Sequence, residues 1–214
     1  MALCFFTYYY LQPLRGAYNV FNMIRKATID DLNSIWQLFQ SAVLDTSKIK
    51  EINYLVKTQK YGFIVSDSNK EEVKSRITNS TIFNVCEENN KIIGFIDFNK
   101  EIYFPEKAEN IVWFDQSLKK EYFHGDKNIA LHLVITNSEV RNHGIASKLL
   151  IGALKNLKKQ GIKYIFSIIT TGPLTNCPSI IWHTKMGFSR VCVTHPIDIF
   201  GLKNYTSLLY FKKI

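Results

Sequence analysis

The chain has 214 residues, 46% of them hydrophobic, with a formal net charge of +9. That is enough apolar material for one domain with a sizeable core, and too much for a disordered chain. With no run of about 18 apolar residues, no membrane-spanning helix and no membrane partner are expected.

The four cysteines (Cys4, Cys86, Cys177, Cys192) are scattered and form no Cys-x-x-Cys pair. This spacing argues against a metal site or a disulfide framework and for reduced thiols in a cytoplasmic setting. The basic residues form no run of five or six, so the charge reads as a solvated basic surface rather than a nucleic-acid site.

Residues 1–22 are aromatic-rich and carry one charge, Arg15. They lack the basic start of a signal peptide. Three readings stand for this extension: a start placed ahead of the natural one at Met23, which is preferred, an unusual targeting segment, or a docking element.

Residues 23–27 read as a strand. Thr28-Ile-Asp-Asp then supplies a cap and early acids for a helix to about Leu44. A second helical region covers roughly 47–60, a short extended segment 61–66, and a third helix 70–77 with Glu71 and Glu72 in its first turn. Residues 81–87 and 92–98 form a hairpin around Glu88-Asn89-Asn90-Lys91, with Gly94 marking a bulge or a close approach. A long connection, about 99–128, contains a helical patch at 115–122 expected to cover one edge of an active site.

Residues 129–136 are apolar and β-branched, a strand by composition. Arg141-Asn-His-Gly-Ile-Ala turns the chain. From Ile145 apolar residues recur at Leu149, Leu150, Ala153, Leu154 and Leu157, the spacing of a one-sided helix, and Gly161 stops it. A helix start with small residues leaves backbone amides uncovered, which is anion-binding chemistry, and several amides beside Arg141 suit a pyrophosphate. Residues 163–169 are a further strand broken by Thr170-Thr171-Gly172-Pro173. Pro178 opens a helix that Gly187 closes. Residues 188–194 and 206–212 are a closing antiparallel pair, and such a last strand can pair across a homodimer.

Arg141-x-x-Gly144-x-Ala146 resembles the Arg/Gln-x-x-Gly-x-Gly/Ala signature of the GNAT N-acetyltransferase superfamily. The opening strand–Ala-Thr–Asp-Asp-Leu–helix and the segment Asn176-x-x-Ser179-x-x-Trp182-His183-x-Lys185-Met186-Gly187-Phe188 resemble the same family in order. The resemblance implies a mixed α/β (α+β) fold, a twisted mixed sheet of about six to seven strands with helices on both faces. It places the domain at 23–214 with an insertion at about 99–128.

It also implies acetyl-CoA as acetyl donor and direct transfer to a primary amine. The diphosphate is expected on Arg141, Asn142, His143, Gly144, Ile145 and Ala146, and the pantetheine arm and carbonyl on Val134, Ile135 and Thr136. Asn176 is expected either to contact the cofactor or to cap its helix. His183 stands where the family usually has a tyrosine acid. It could donate as imidazolium, hydrogen-bond the sulfur, or face solvent and leave the proton to another hydroxyl. His132 lies where relatives carry a base, although a structural histidine is the plainer reading of it. Cys177 reads as packing, and Asp67, Asp115 and Glu121 as solvated surface or cation receivers. The tyrosine-to-histidine departure keeps open a non-catalytic acyl-CoA-binding module of the same fold.

Overall fold

The structure is a computed structural model describing residues 23–100, 111–140 and 143–214. The extension 1–22, part of the long connection (101–110), and Arg141 and Asn142 lie outside the described residues.

Strand β1 (Met23–Lys26) enters a 3-10 turn (Ile29–Asp31) and helix α1 (Leu32–Ala42). Asp31 holds this entry: its carboxylate accepts from the Thr28 amide at 2.8 Å and from both terminal nitrogens of Arg25. Those bonds, the one from Arg25 foremost, hold the carboxyl below its ordinary range. Helices α2 (Ile52–Tyr61) and α3 (Lys70–Asn79) follow. Between them the chain is extended, and Ile64 bridges Val43 in parallel with Leu44 N donating to Ile64 O at 2.8 Å.

Strands β2 (Ile82–Glu88) and β3 (Lys91–Asn99) form the expected hairpin. Its two turn residues, Asn89 and Asn90, take left-handed φ values of 50° and 60°, the conformation a two-residue hairpin loop requires. The hairpin register shifts between Cys86 and Glu87, leaving Ile93 as the extra residue beside Gly94. A Cβ on Gly94 would stand 3.0 Å from Ile135 O and 3.2 Å from side chains of Thr136 and Ile145. Bulge and close approach therefore occur together.

Two short elements follow, β4 (Ile111–Trp113) and α4 (Gln116–His124), the latter capped by Asp115. Then come β5 (Asn128–Thr136), α5 (Ile145–Lys159), β6 (Tyr164–Gly172), α6 (Cys177–Lys185), β7 (Ser189–Thr194), β8 (Ile197–Ile199) and β9 (Leu202–Lys213). Strand β6 runs past the expected break because Thr170 and Gly172 still pair with β9, and Thr171 Oγ1 meets Thr206 Oγ1 at 3.1 Å.

The sheet has nine strands, ordered β1-β2-β3-β5-β6-β9-β7-β4 with β8 on β9. It exceeds the expected six to seven through β4 and β8, three residues each and too short to show a period in sequence. Strand β9 has β6 on one side and, along residues 208–211, β7 on the other, so it lies inside the sheet rather than at its edge.

Period-two alternation sends side chains to two cores. Ile82, Cys86, Ile96 and Phe98 meet Leu149, Leu150, Ala153 and Leu157 of α5 on one face. Phe83, Val85 and Phe95 meet Ile35 and Phe39 of α1 and Val73 and Ile77 of α3 on the other. Each fully buried leucine of α5 contributes about 1.5–3 kcal/mol. Among the described residues no helix is long and apolar enough to cross a membrane.

Candidate active site

Strands β5 and β6 are parallel neighbours for only three residue pairs, Asn128↔Tyr164 to Ala130↔Phe166. Beyond Ala130 they separate, while β5 stays paired to β3 as far as Thr136. A cavity of about 640 Å³ opens in the gap, lined by Leu131–Thr136 of β5, Ser167–Thr170 of β6 and the first residues of α5 and α6. Asn137 N donates to Ile93 O on β3 at 2.8 Å. Strand alternation therefore turns the peptide groups of Ile135 toward β3 and those of Val134 and Thr136 toward the gap. Ile135 also buries its side chain against α1 and α3.

The start of α5 faces this gap. Gly144 occupies its N-cap with φ 75°, and no side chain caps the helix. The first amides of a helix have no intrahelical acceptor, so the amides of Ile145 and Ala146 remain for an anion. A Cβ on Gly144 would meet nothing within 4 Å. The glycine is thus required by its left-handed backbone and not by crowding. Gly144, Ile145 and Ala146 line the cavity, whereas His143 is exposed and does not. Of this loop, Arg141 and Asn142 lie outside the described residues.

Helix α6 begins differently. Asn176, 8% exposed, caps it by accepting from Ser179 N at 3.3 Å, and its Nδ2 donates to Phe63 O at 2.6 Å. The capping role is therefore real, and one side chain ties α6 to the extended segment before α3. Cys177, in the first turn, is exposed. The packing role read for it from sequence is corrected: the helix turns this position outward.

His183 is 3% exposed and does not face solvent. Its Nδ1 lies 2.8 Å from the Ser179 carbonyl, an acceptor only, so Nδ1 carries the hydrogen. Burial pushes its pKa down to about 4. The ring is therefore neutral at physiological pH, and Nε2 accepts from Ser167 Oγ at 2.9 Å. Ser167 stands at the vertex of the gap, immediately after the last β5–β6 pair. His132 is half-buried on β5 and also lines the cavity.

Other groups in the cavity carry no sequence signal beyond strand register. Tyr205, at the start of β9, lines it, and its hydroxyl is 3.2 Å from Thr170 Oγ1. Burial raises its pKa, keeping the phenol protonated. Phe63, Ile64 and Val65 complete that end of the cavity.

The described part of the long connection does not line the cavity. Tyr122 of α4 packs on Phe166, Val191, Cys192 and Leu209 instead. The expectation that this helix edges the active site is corrected: its aromatics cover the sheet face opposite α5. Asp67, Asp115 and Glu121 are likewise absent from the lining.

A parallel strand pair that splays, with an uncapped helix start at its mouth, is the site architecture of an acyl-CoA-dependent transferase. Residues 47–188 match the Acetyltransferase (GNAT) family, and the chain belongs to it. Among curated proteins none is similar in sequence. Solved structures share the fold. An N-acetyltransferase from Staphylococcus aureus Mu50 superposes with TM-score 0.60 at 19% identity, covering 90% of this chain and 98% of that one. The ribosomal-protein-alanine N-acetyltransferase from Brucella melitensis gives 0.58 at 19%, covering 90% and 99%. A PaiA N-acetyltransferase from Thermoplasma acidophilum, in complex with coenzyme A, gives 0.54 at 18%, covering 90% and 99%.

Proposed function

We propose that this protein is an acetyl-CoA-dependent N-acetyltransferase that transfers the acetyl group directly to a primary amine. The observation that carries the reading is the uncapped start of α5 opening into the β5–β6 gap. The amides of Ile145 and Ala146, with Arg141, Asn142 and the His143 backbone from the same loop, would hold the diphosphate. The peptide groups of Val134 and Thr136 would hold the pantetheine arm and receive the carbonyl oxygen as charge develops on it.

Attack by the amine forms a C–N bond, breaks the C–S bond, removes a proton from nitrogen and returns one to sulfur. His132, on the gap-facing strand, is suited to accept the first proton through water. His183 is neutral, so it serves by holding Ser167 Oγ at the vertex rather than by donating as imidazolium. Tyr205, kept protonated by burial, is the hydroxyl suited to supply the sulfur. Asn176 fixes the wall of the cavity and not the diphosphate.

Two measurements test this. Calorimetry should show coenzyme A uptake by the folded protein, and a thiol reagent should detect amine-dependent release of coenzyme A from acetyl-CoA. Folded protein that takes up no coenzyme A would refute the reading. Uptake without amine-dependent release across a broad amine panel would favour the non-catalytic acyl-CoA-binding alternative.

A further inference from the structure

The cavity has two chemically distinct ends. One is the helix start and the bare edge of β5, already assigned to the acetyl donor. The other is walled by Phe63, Ile64 and Val65, with the Thr170–Tyr205 hydroxyl pair beside them. This end is apolar with two hydroxyls, and it is where an acceptor must lie.

The charged side chains among the described lining residues of the cavity have one sign. Lys60 and Lys185 line the cavity, and among the described lining residues there is no aspartate or glutamate. Leu44, Phe63 and Leu202 form one apolar cluster, on which Tyr205 packs. Of the acids on the elements bordering that cluster, Asp45 engages Lys48 and Ser47, Asp198 engages Lys203 and the Asn204 amide, and Glu51 and Asp67 do not line the cavity. The whole chain adds a formal +9. Like-charge juxtaposition in a partly enclosed site selects against a partner, and salt weakens that selection.

We propose that the acceptor is a primary amine on an apolar body whose remaining charge is zero or negative, the chemistry of an α-amino acid or its amide, and not a polyamine. A carboxylate on such an amine is attracted to the lysines at the cavity, its apolar side chain fits against Phe63 and Val65, and only one ammonium must be brought in and deprotonated. A polyamine brings two or three ammonium groups and finds no carboxylate among the described lining residues to receive them. The inference rests on the acetyltransferase reading above.

The test measures coenzyme A release at saturating acetyl-CoA with L-leucine, L-leucinamide and spermidine as probes. Leucine and leucinamide should each exceed spermidine in kcat/KM by at least about ten-fold. The gap should narrow at roughly 0.5 M salt, where the screening length is short. Lys60→Glu should raise spermidine use relative to leucine. Spermidine as the preferred acceptor overturns the proposal, as does failure of both leucine probes while calorimetry shows coenzyme A bound. Absence of coenzyme A uptake would remove both this proposal and the reading beneath it, so the two failures are told apart by the calorimetric arm.

Discussion

Two helices begin at the same cavity, and they treat their first amides in opposite ways. Helix α6 satisfies its start internally: Asn176 accepts from Ser179 N, and its amide nitrogen reaches Phe63 O. Helix α5 starts at a left-handed glycine with no side-chain cap. A glycine N-cap forgoes only a few tenths of a kcal/mol relative to a side-chain cap, so the open start costs the helix little. The difference separates the two helix starts: one closes on its own side chain, the other leaves its first amides without a side-chain cap.

The largest effect expected from breaking this contrast is at Gly144. Gly144→Val imposes a left-handed backbone on a β-branched residue, about 1–2 kcal/mol, a strain relieved by moving the amides of the helix start out of line. Charge-assisted bonds to a diphosphate, worth about 1.5–3 kcal/mol each, would weaken with that displacement. Coenzyme A affinity measured by calorimetry should fall by at least about a hundred-fold. Gly144→Asn, which tolerates the same backbone, should lose less than about ten-fold. Equal, small losses in both variants would mean that the helix start is not the diphosphate site.

The closed side of the contrast titrates. Burial takes His183 from 6.5 to about 4, so between those values the unfolded chain binds a proton that the folded chain does not. Stability therefore rises with pH through this window: the contribution is complete above about pH 6.5 and is lost as pH falls toward 4. Its size is at most about 3 kcal/mol. Urea unfolding at pH 7 and pH 4.5 should show a smaller pH difference in His183→Gln than in the native chain. An unchanged difference would place the ring in water, contrary to its burial.

Asn176→Ala comes next. It removes a cap, about 1 kcal/mol, and leaves the Phe63 carbonyl without its side-chain donor, roughly another 1–3 kcal/mol. Urea midpoints should shift accordingly, while coenzyme A affinity changes less than about three-fold. A larger loss of affinity than of stability would show that Asn176 also contacts the cofactor.

How far the sequence carries this contrast depends on how local the signal is. The β5–turn–α5 unit was legible because a β-branched strand, a glycine at the turn and apolar residues every third or fourth position lie within one short stretch. Asn176 reads equally well as a cap or as a cofactor contact, since the side chain suits both, and its bond to Phe63, distant in the chain, carries no sequence signal. Tyr205 and Ser167 were not legible at all. Strand register alone brings them to the cavity, and no spacing in sequence marks where β5 and β6 part. The burial of His183 was missed for a related reason: its polar ring is paid for by Ser167 and the Ser179 carbonyl, and the first of these comes from another element. The short β4 and β8 were hidden by their length, and α4 was misplaced because its aromatics announce burial without saying on which face.

The smallest expected effect lies where the start of α5 meets the second turn of α6. Ser147, in the first turn of the open helix, accepts from Trp182 Nε1 of the capped one at 3.2 Å. The bond links the part of the site that binds to the part that only supports. Ser147→Ala removes one neutral hydrogen bond from a half-buried pair, about 0.5–1.5 kcal/mol. The backbone amide of Ser147 is untouched, so coenzyme A affinity should change by less than about three-fold, with a small fall in unfolding midpoint. If affinity instead falls as far as it does in Gly144→Val, the hydroxyl itself takes part in anion binding. The two helices would then act as one site, and the division drawn between them would have to be abandoned.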